Sequence, residues 1–231
     1  LPGDVTWVPY GDADALAAAM ADDVAAILIE PIQGESGVIP APDGFLTAAR
    51  KLADDHDALL WLDEVQTGIG RTGAWLAHTA SGVSADLITV AKGLGGGIPI
   101  GACIATGAAA SLLGPGSHGS TFGGNPIAAR AGLTVLNVIE RDNLLAHVRE
   151  VGDGVAAALT NVPGVTGVRG SGLLRGVQLD RDIAPDVAAK ALEAGFIINA
   201  PRPGVLRLAP PLVITSDELD TFVQALPGFL A

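Results

Sequence analysis

Three apolar runs in the first half of the chain each break off at a charged residue: "VAAILIEP" at Glu30, "ALLWLDEVQ" at Asp63 and "DLITVAK" at Lys92. Continuous apolar runs of this length read as buried parallel strands. Between the first two, "DGFLTAARKLADDHD" sets Phe45, Leu46, Ala49, Leu52 and Ala53 at the spacing of one helical face. With the later run "IGACIAT", this order predicts an α/β domain on a mainly parallel sheet. Ligands of such sheets bind beyond the carboxyl ends of the strands, where Glu30, Asp63 and Lys92 all fall.

The rest of the chain adds further elements. A short helix is predicted over Asp14 to Ala21. Asn125-Pro126 is a helix start, with Asn at the cap and Pro in the first turn. The helical pattern continues to about Ala158, with a break near Arg141 to Asn143, and "NVPGV" marks a boundary. Strands near "GVRGSGLLRGVQL", a helix around Pro185 to Ala194, strands "FIINAP" and "VLRLAPP", and a helix from Ser216 predict a smaller α+β domain. The division expected is 1–137 for the first portion and 138–231 for the second.

Thirteen Lys and Arg against 25 Asp and Glu give a net charge of −12, which argues against nucleic acid or an anionic membrane as the main partner and favours a small-molecule site. Cys103 is the single cysteine, which excludes an internal disulfide framework and fits a reducing, cytoplasmic compartment. His56, His78, His118 and His147 form no metal-ligand spacing, so no metal is expected. No apolar run approaches the ~20 residues of a membrane span. The opening "LPGDVTWVPYGD" has no initiator Met and reads like a segment in mid-course, so a fragment or a processed chain is expected.

Lys92 has two readings. Its stem can lie along the sheet edge with the ammonium in water, or a desolvated amine with a lowered pKa can act as a nucleophile and form a Schiff base with a carbonyl. Asp63, at the end of a buried strand, needs a cationic partner. A salt bridge would serve, and so would a protonated pyridine nitrogen, a pairing that keeps a pyridinium ring as an electron sink. Gln66 either caps its turn or reaches a phenolic oxygen on such a ring. Arg207, between Leu206 and Leu208, is either an edge arginine or a fork for a substrate carboxylate. "GIGRTG" matches the dinucleotide pattern at Gly68, Gly70 and Gly73, but "AWLAHTASG" after it makes a poor amphipathic helix.

"IEPIQGESG", "LDEVQTGIGRTG", "AKGLGGGIPIGA", "HGSTFGGNP" and "RLAPPL" stand in the order and approximate spacing of the subgroup III pyridoxal-phosphate aminotransferases, and the chain resembles that family over nearly all its length. The resemblance implies the fold type I transferase architecture, part of a large cofactor domain followed by a small α+β domain, and pyridoxal 5'-phosphate as cofactor. It implies that Lys92 bonds covalently to the cofactor and shuttles a proton. It also implies that Asp63 pairs with the pyridine nitrogen, and that Gln66 bonds the phenolic oxygen. Thr121, beside Ser120 in "GSTFGG", then binds the cofactor phosphate of a neighbouring subunit, which makes a homodimer necessary. Arg207 holds the distal carboxylate of glutamate or 2-oxoglutarate, and Glu35 covers it when the amino donor is bound. "HGSTFGGNP" and "NAPRPGVLRLAPPL" look closest to the acetylornithine branch, beside ornithine, succinylornithine and 4-aminobutyrate branches. The family's amino-terminal Ser-Gly-Thr phosphate turn, ring-stacking aromatic residue and α-carboxylate arginine have no counterpart before "IEPIQGE". Other readings are a nicotinamide oxidoreductase built on "GIGRTG" and a non-catalytic fragment.

Overall fold

A computed structural model describes residues 4–231; Leu1 to Gly3, which open the expected first portion, lie outside the described residues. The apolar runs form strands β1 (Ala26–Ile29), β4 (Leu59–Asp63) and β5 (Leu87–Val90), and the intervening residues supply the short hairpin β2 (Ile32–Gln33) and β3 (Ile39–Pro40). Helices α1 (Ala13–Ala19) and α2 (Phe45–Asp55) complete this part, with β6 (Ala102–Ala105) at the sheet edge. The sheet order is β1-β4-β5-β6; β1, β4 and β5 are parallel and β6 runs antiparallel to β5.

One face of this sheet is closed by α2, which packs Phe45, Leu46, Ala49 and Ala53 against Ile27, Ile29, Leu60 and Leu62. On the opposite face of β1, Leu28 is 57% exposed. The full burial expected of "VAAILIEP" therefore fails for alternate residues, because α1 and α2 cover a single face. The pleat sorts the two consecutive carboxylates of "DEV" to opposite sides. Asp63 lies on the open face beside Thr89, and Glu64 is fully buried.

Glu64 survives burial because it is saturated with donors. Its carboxylate accepts from the backbone of Ala77 (3.0 Å) and His78 (2.8 Å), from the Thr67 hydroxyl, and pairs with His78 Nδ1 at 2.8 Å. Burial alone would push its pKa up, but the bonds from His78, Thr67 and Ala77 outweigh that and hold it below the usual carboxylate range. The result ties the turn after β4 to the 3₁₀ turn Ala77–Ser81. That 3₁₀ turn is the first helical element after "GIGRTG", and a dinucleotide site would require an α-helix to open there.

Helix α3 (Pro126–Arg141) starts as predicted, with Asn125 Oδ1 accepting from Ala128 N at 3.0 Å, and breaks at Asp142–Asn143 before α4 (Leu144–Thr160). The expected 137/138 division falls inside α3, whose Gly132 lies against Leu94. The remaining strands β7 (Val165–Ser171), β8 (Leu174–Leu179), β9 (Asn199–Arg202) and β10 (Val205–Leu208) form an antiparallel sheet in the order β7-β8-β10-β9. Helices α4, α5 (Ala184–Glu193) and α6 (Ser216–Leu230) supply its core with Val148, Val155, Leu159, Val187, Phe222 and Leu226. The strand expected over "FIINAP" begins only at Asn199, since Phe196 turns inward to meet Phe222 edge-on at 5.6 Å.

The two sheets are joined backbone to backbone. The β7–β8 turn inserts Gly172 between α4 and the "GRTG" segment: a Cβ on Gly152 would stand 2.1 Å from the Gly172 carbonyl oxygen, and one on Gly172 would stand 2.6 Å from Thr72. Leu173 N donates to Arg71 O (3.0 Å), and Ser171 Oγ donates to Thr72 O (3.1 Å). At these points main chain meets main chain, so the contact has no compliant side-chain layer.

Two tests follow from this packing. Gly152→Ala should lower unfolding stability by about 1–3 kcal/mol through overpacking against main chain. Gly154→Ala, in the same helix with no atom within 4 Å of the added methyl, should instead raise stability by about 0.5–1 kcal/mol through helix propensity; denaturant unfolding checks both. Glu64, with its folded pKa depressed, contributes stability that is present in full above its ordinary value of 4.5 and is lost as pH falls below it. Urea melts between about pH 3 and pH 7 should therefore show Glu64→Gln less stable at neutral pH, with a shallower acid limb than the parent.

Candidate active site

Lys92 stands one residue, Ala91, beyond the end of β5 and is the first residue of the 3₁₀ turn Lys92–Gly95. Its φ of 45° lies in the left-handed region, an uncommon conformation for a side-chain-bearing residue and one associated with functional sites. The lysine is exposed and lines a cavity of about 610 Å³ together with Glu35, Gln66, Arg71 and Arg207. Val138, Ile139 and Leu212 form apolar wall. Three cationic side chains and one carboxylate on a largely apolar wall suit an anionic ligand with an aliphatic body.

Glu35 and Arg207 are 172 positions apart in the chain, yet Arg207 donates to Glu35 Oε1 at 2.7 Å. Two features bring them together. Val38, just beyond Glu35, is buried with Ile32 and Leu174 in a small cluster, and Arg169 Nε donates to Gly37 O at 2.8 Å. Arg207 is held in β10 opposite Gly176 and Asn199. The hydrogen bond from Arg207, with its positive charge, holds the Glu35 carboxyl below the usual range. Gln66 completes the group: its Oε1 accepts from Arg207 at 3.2 Å, and its Nε2 donates weakly to Glu35 at 3.5 Å. The amide orientation is fixed by its neighbours, since guanidinium only donates and carboxylate only accepts.

Asp63 stands outside the residues lining that cavity, at the end of β4 on the open sheet face. Its Oδ1 accepts from Val65 N (2.9 Å) and from the Thr89 hydroxyl (3.2 Å), which in turn accepts from Trp61 Nε1 at 3.2 Å. Oδ2 has no donor among the described residues and is free for a further hydrogen bond. Glu30 neighbours this centre. Burial and the charge of Asp63 raise its pKa against the opposing hydrogen bond from Gly34 N and the pull of Lys92. Ser120 and Thr121 lie elsewhere, on an exposed segment where Ser120 Oγ accepts from Gly123 N at 3.0 Å. They do not meet Lys92 within one chain.

Arg71 carries a role that the sequence reading missed. Its Nη1 donates to Leu173 O (3.1 Å) and Pro210 O (2.5 Å), with no carboxylate partner among the described residues, and burial pushes its pKa down to about 10. Thr89 was missed too, although its place two residues before Ala91 on the strand beside Asp63 is a readable signal. Among the described residues no cluster of His, Cys, Asp and Glu could hold a metal ion, and no helix is long and apolar enough to cross a membrane.

The Aminotransferase class-III family profile matches residues 10–230. The acetylornithine aminotransferase of Mycobacterium leprae is 53% identical over 232 residues, covering all of this chain and 57% of its relative. N-acetylornithine aminotransferase from Stenotrophomonas maltophilia superposes with a TM-score of 0.88 at 36% identity, over 97% of this chain and 61% of that one. An ornithine aminotransferase structure from Toxoplasma gondii, reported with partial occupancy of PLP at its active site, gives a TM-score of 0.89 at 35% identity, over 99% of this chain and 57% of that one. The chain thus spans somewhat under two thirds of the length of the relatives it matches. With its motifs, its mainly parallel sheet and its match from residue 10 to residue 230, the chain belongs to the class-III aminotransferases.

Proposed function

We propose that this chain forms the carboxy-terminal part of a pyridoxal 5'-phosphate-dependent enzyme that transfers an amino group between N-acetylornithine and 2-oxoglutarate. Residues 1–137 then belong to the large cofactor domain and 138–231 form the small domain. The observation that carries this reading is the Glu35–Arg207 ion pair at 2.7 Å on the wall of the Lys92 cavity. A carboxylate-binding fork already covered by an internal carboxylate is what an enzyme needs when one pocket must accept a dicarboxylate in one half-reaction and an unlike donor in the other. The names of the relatives favour acetylornithine as that donor.

The residues present fit the cofactor. Asp63 Oδ2 is a spare carboxylate oxygen on the open sheet face, suited to a protonated ring nitrogen, while Val65 and Thr89 hold the other oxygen still. When bound, the cofactor supplies an aldehyde for covalent capture of an amine and a protonated ring that delocalises the electron pair left on the substrate's α-carbon. Lys92 Nζ would be the nucleophile for that aldehyde, and once released it would take the proton from the substrate's α-carbon and deliver it to the former aldehyde carbon. Asp63 keeps the ring nitrogen protonated, Gln66 orients the phenolic oxygen, and Arg207 receives the distal carboxylate when Glu35 rotates away.

Thr121, with Ser120 beside it, reaches the cofactor phosphate of a neighbouring subunit in a homodimer. What supports this is the exposed apolar surface along the same segment, where Phe122 is 81%, Ile127 75%, Leu113 70% and Leu112 64% exposed.

Absorbance after addition of pyridoxal phosphate tests the reading. A visible band is expected in the parent, bleached by acetylornithine or glutamate and absent in Lys92→Ala; a band of equal strength in Lys92→Ala would refute it. Glu35→Ala should keep the band and shift the ratio of single-turnover rates with glutamate and acetylornithine by about tenfold or more toward glutamate, the scale of one charge-assisted hydrogen bond. Equal losses with both substrates would remove Glu35 from the switch.

A further inference from the structure

We propose that Gln66 is a direct ligand of the substrate carboxylate that Arg207 binds, a contact that Glu35 occupies in the present arrangement. This rests on the functional reading above and assigns Gln66 a task beyond the cofactor's phenolic oxygen.

Glu35 Oε1 marks where a carboxylate oxygen sits on Arg207, and at that point it accepts from two donors, Arg207 Nη1 at 2.7 Å and Gln66 Nε2 at 3.5 Å. The three side chains differ in freedom. Glu35 is 76% exposed at its side chain and Arg207 14%, so Glu35 can rotate into solvent while the guanidinium stays. Gln66 stays as well. The backbone at Gly34 lies flat on its amide, so closely that a Cβ there would fall 1.8 Å from Gln66 Oε1. Gly34 is itself tethered, with its N donating to Glu30 Oε2 at 3.2 Å and its carbonyl accepting from Gly37 and Val38 at 3.2 Å each. The loop backbone is thus pinned, and the exchange at Arg207 is a movement of the Glu35 side chain alone.

When Glu35 leaves, the Gln66 N–H loses its acceptor, and an incoming carboxylate replaces it. The amide has capacity for all its tasks: Oε1 accepts from Arg207, one Nε2 hydrogen serves the carboxylate, and the second remains for the phenolic oxygen. A distal group without an acceptor would leave that donor unpaired unless Glu35 returned. Gln66 therefore adds to discrimination in both half-reactions, as a site built to hydrogen-bond a group rejects analogues lacking it.

The test is titration calorimetry on the full-length protein loaded with pyridoxal phosphate, using glutarate and pentanoate, which share a five-carbon chain and differ by the distal carboxylate. Gln66→Met should lower the preference for glutarate over pentanoate about tenfold; the preference is a ratio within one variant, so a change in cofactor seating acts on both ligands alike, and circular dichroism shows that the variant is folded. In an Arg207→Lys background, Gln66→Met should lower that preference further. An unchanged preference in the single variant overturns the proposal. So does a Gln66→Met substitution without effect once Arg207 is lysine, because that is the result if the amide only braces the guanidinium. Absence of a lysine-dependent visible band in the parent would count against the functional reading alone, since the preference is read from binding without turnover.

Discussion

Everything that the site does across the two sheets depends on the joint between the "GRTG" segment and the β7–β8 turn. Main chain touches main chain at Gly152, Gly172 and Thr72, with Leu173 N bonded to Arg71 O. Arg71 adds a second span by donating to Leu173 O and Pro210 O, two residues beyond the end of β10 that carries Arg207. A buried guanidinium bonded only to carbonyls is costly. Here it holds the segment that follows Gln66 at a set distance from the one that follows the arginine fork. A layer of flexible side chains at the same place would let that distance vary, and a fork misplaced by an ångström loses much of its worth in positioning a substrate.

The second organising device is the strand pleat at Asp63–Glu64. One carboxylate is sent into a closed network with His78, Thr67 and Ala77, and the other is sent to the open face with one oxygen unspent. The buried partner anchors the turn from which Gln66 projects, so structural and chemical roles are divided between adjacent residues of the same chemistry. Environment, and not residue type, separates them. The same logic runs through the Glu30 and Glu35 pair, whose carboxyls are displaced in opposite directions by burial in one case and by Arg207 in the other.

Much of the fold was legible because its signals are local. The end of β4 at Asp63, the cap at Asn125, the break before Leu144 and the start of α6 at Ser216 all rest on residues within or beside the elements they delimit. The errors have local causes too. "FIINAP" has strand composition, but Phe196 closes the turn after α5, its N donating to Ala191 O at 2.8 Å and its ring meeting Phe222 and Phe229 edge-on. Leu28 reads as core and is exposed, since periodicity cannot say which faces of a sheet will be covered.

By itself the sequence determined the class of the fold, the strand-end positions of Glu30, Asp63 and Lys92, and the family, because these follow from apolar runs, their abrupt ends and motifs in fixed order. Tertiary structure alone decided that Gln66 joins Glu35 and Arg207 in one set of hydrogen bonds, that Asp63 has a spare oxygen and Glu64 has none, and that Arg71 spans the joint. The physical reason is range. Helix caps and strand pleats act over a few residues, whereas a bond between Glu35 and Arg207 exists only after two sheets have packed, and nothing in either local sequence encodes the distance that packing leaves between them.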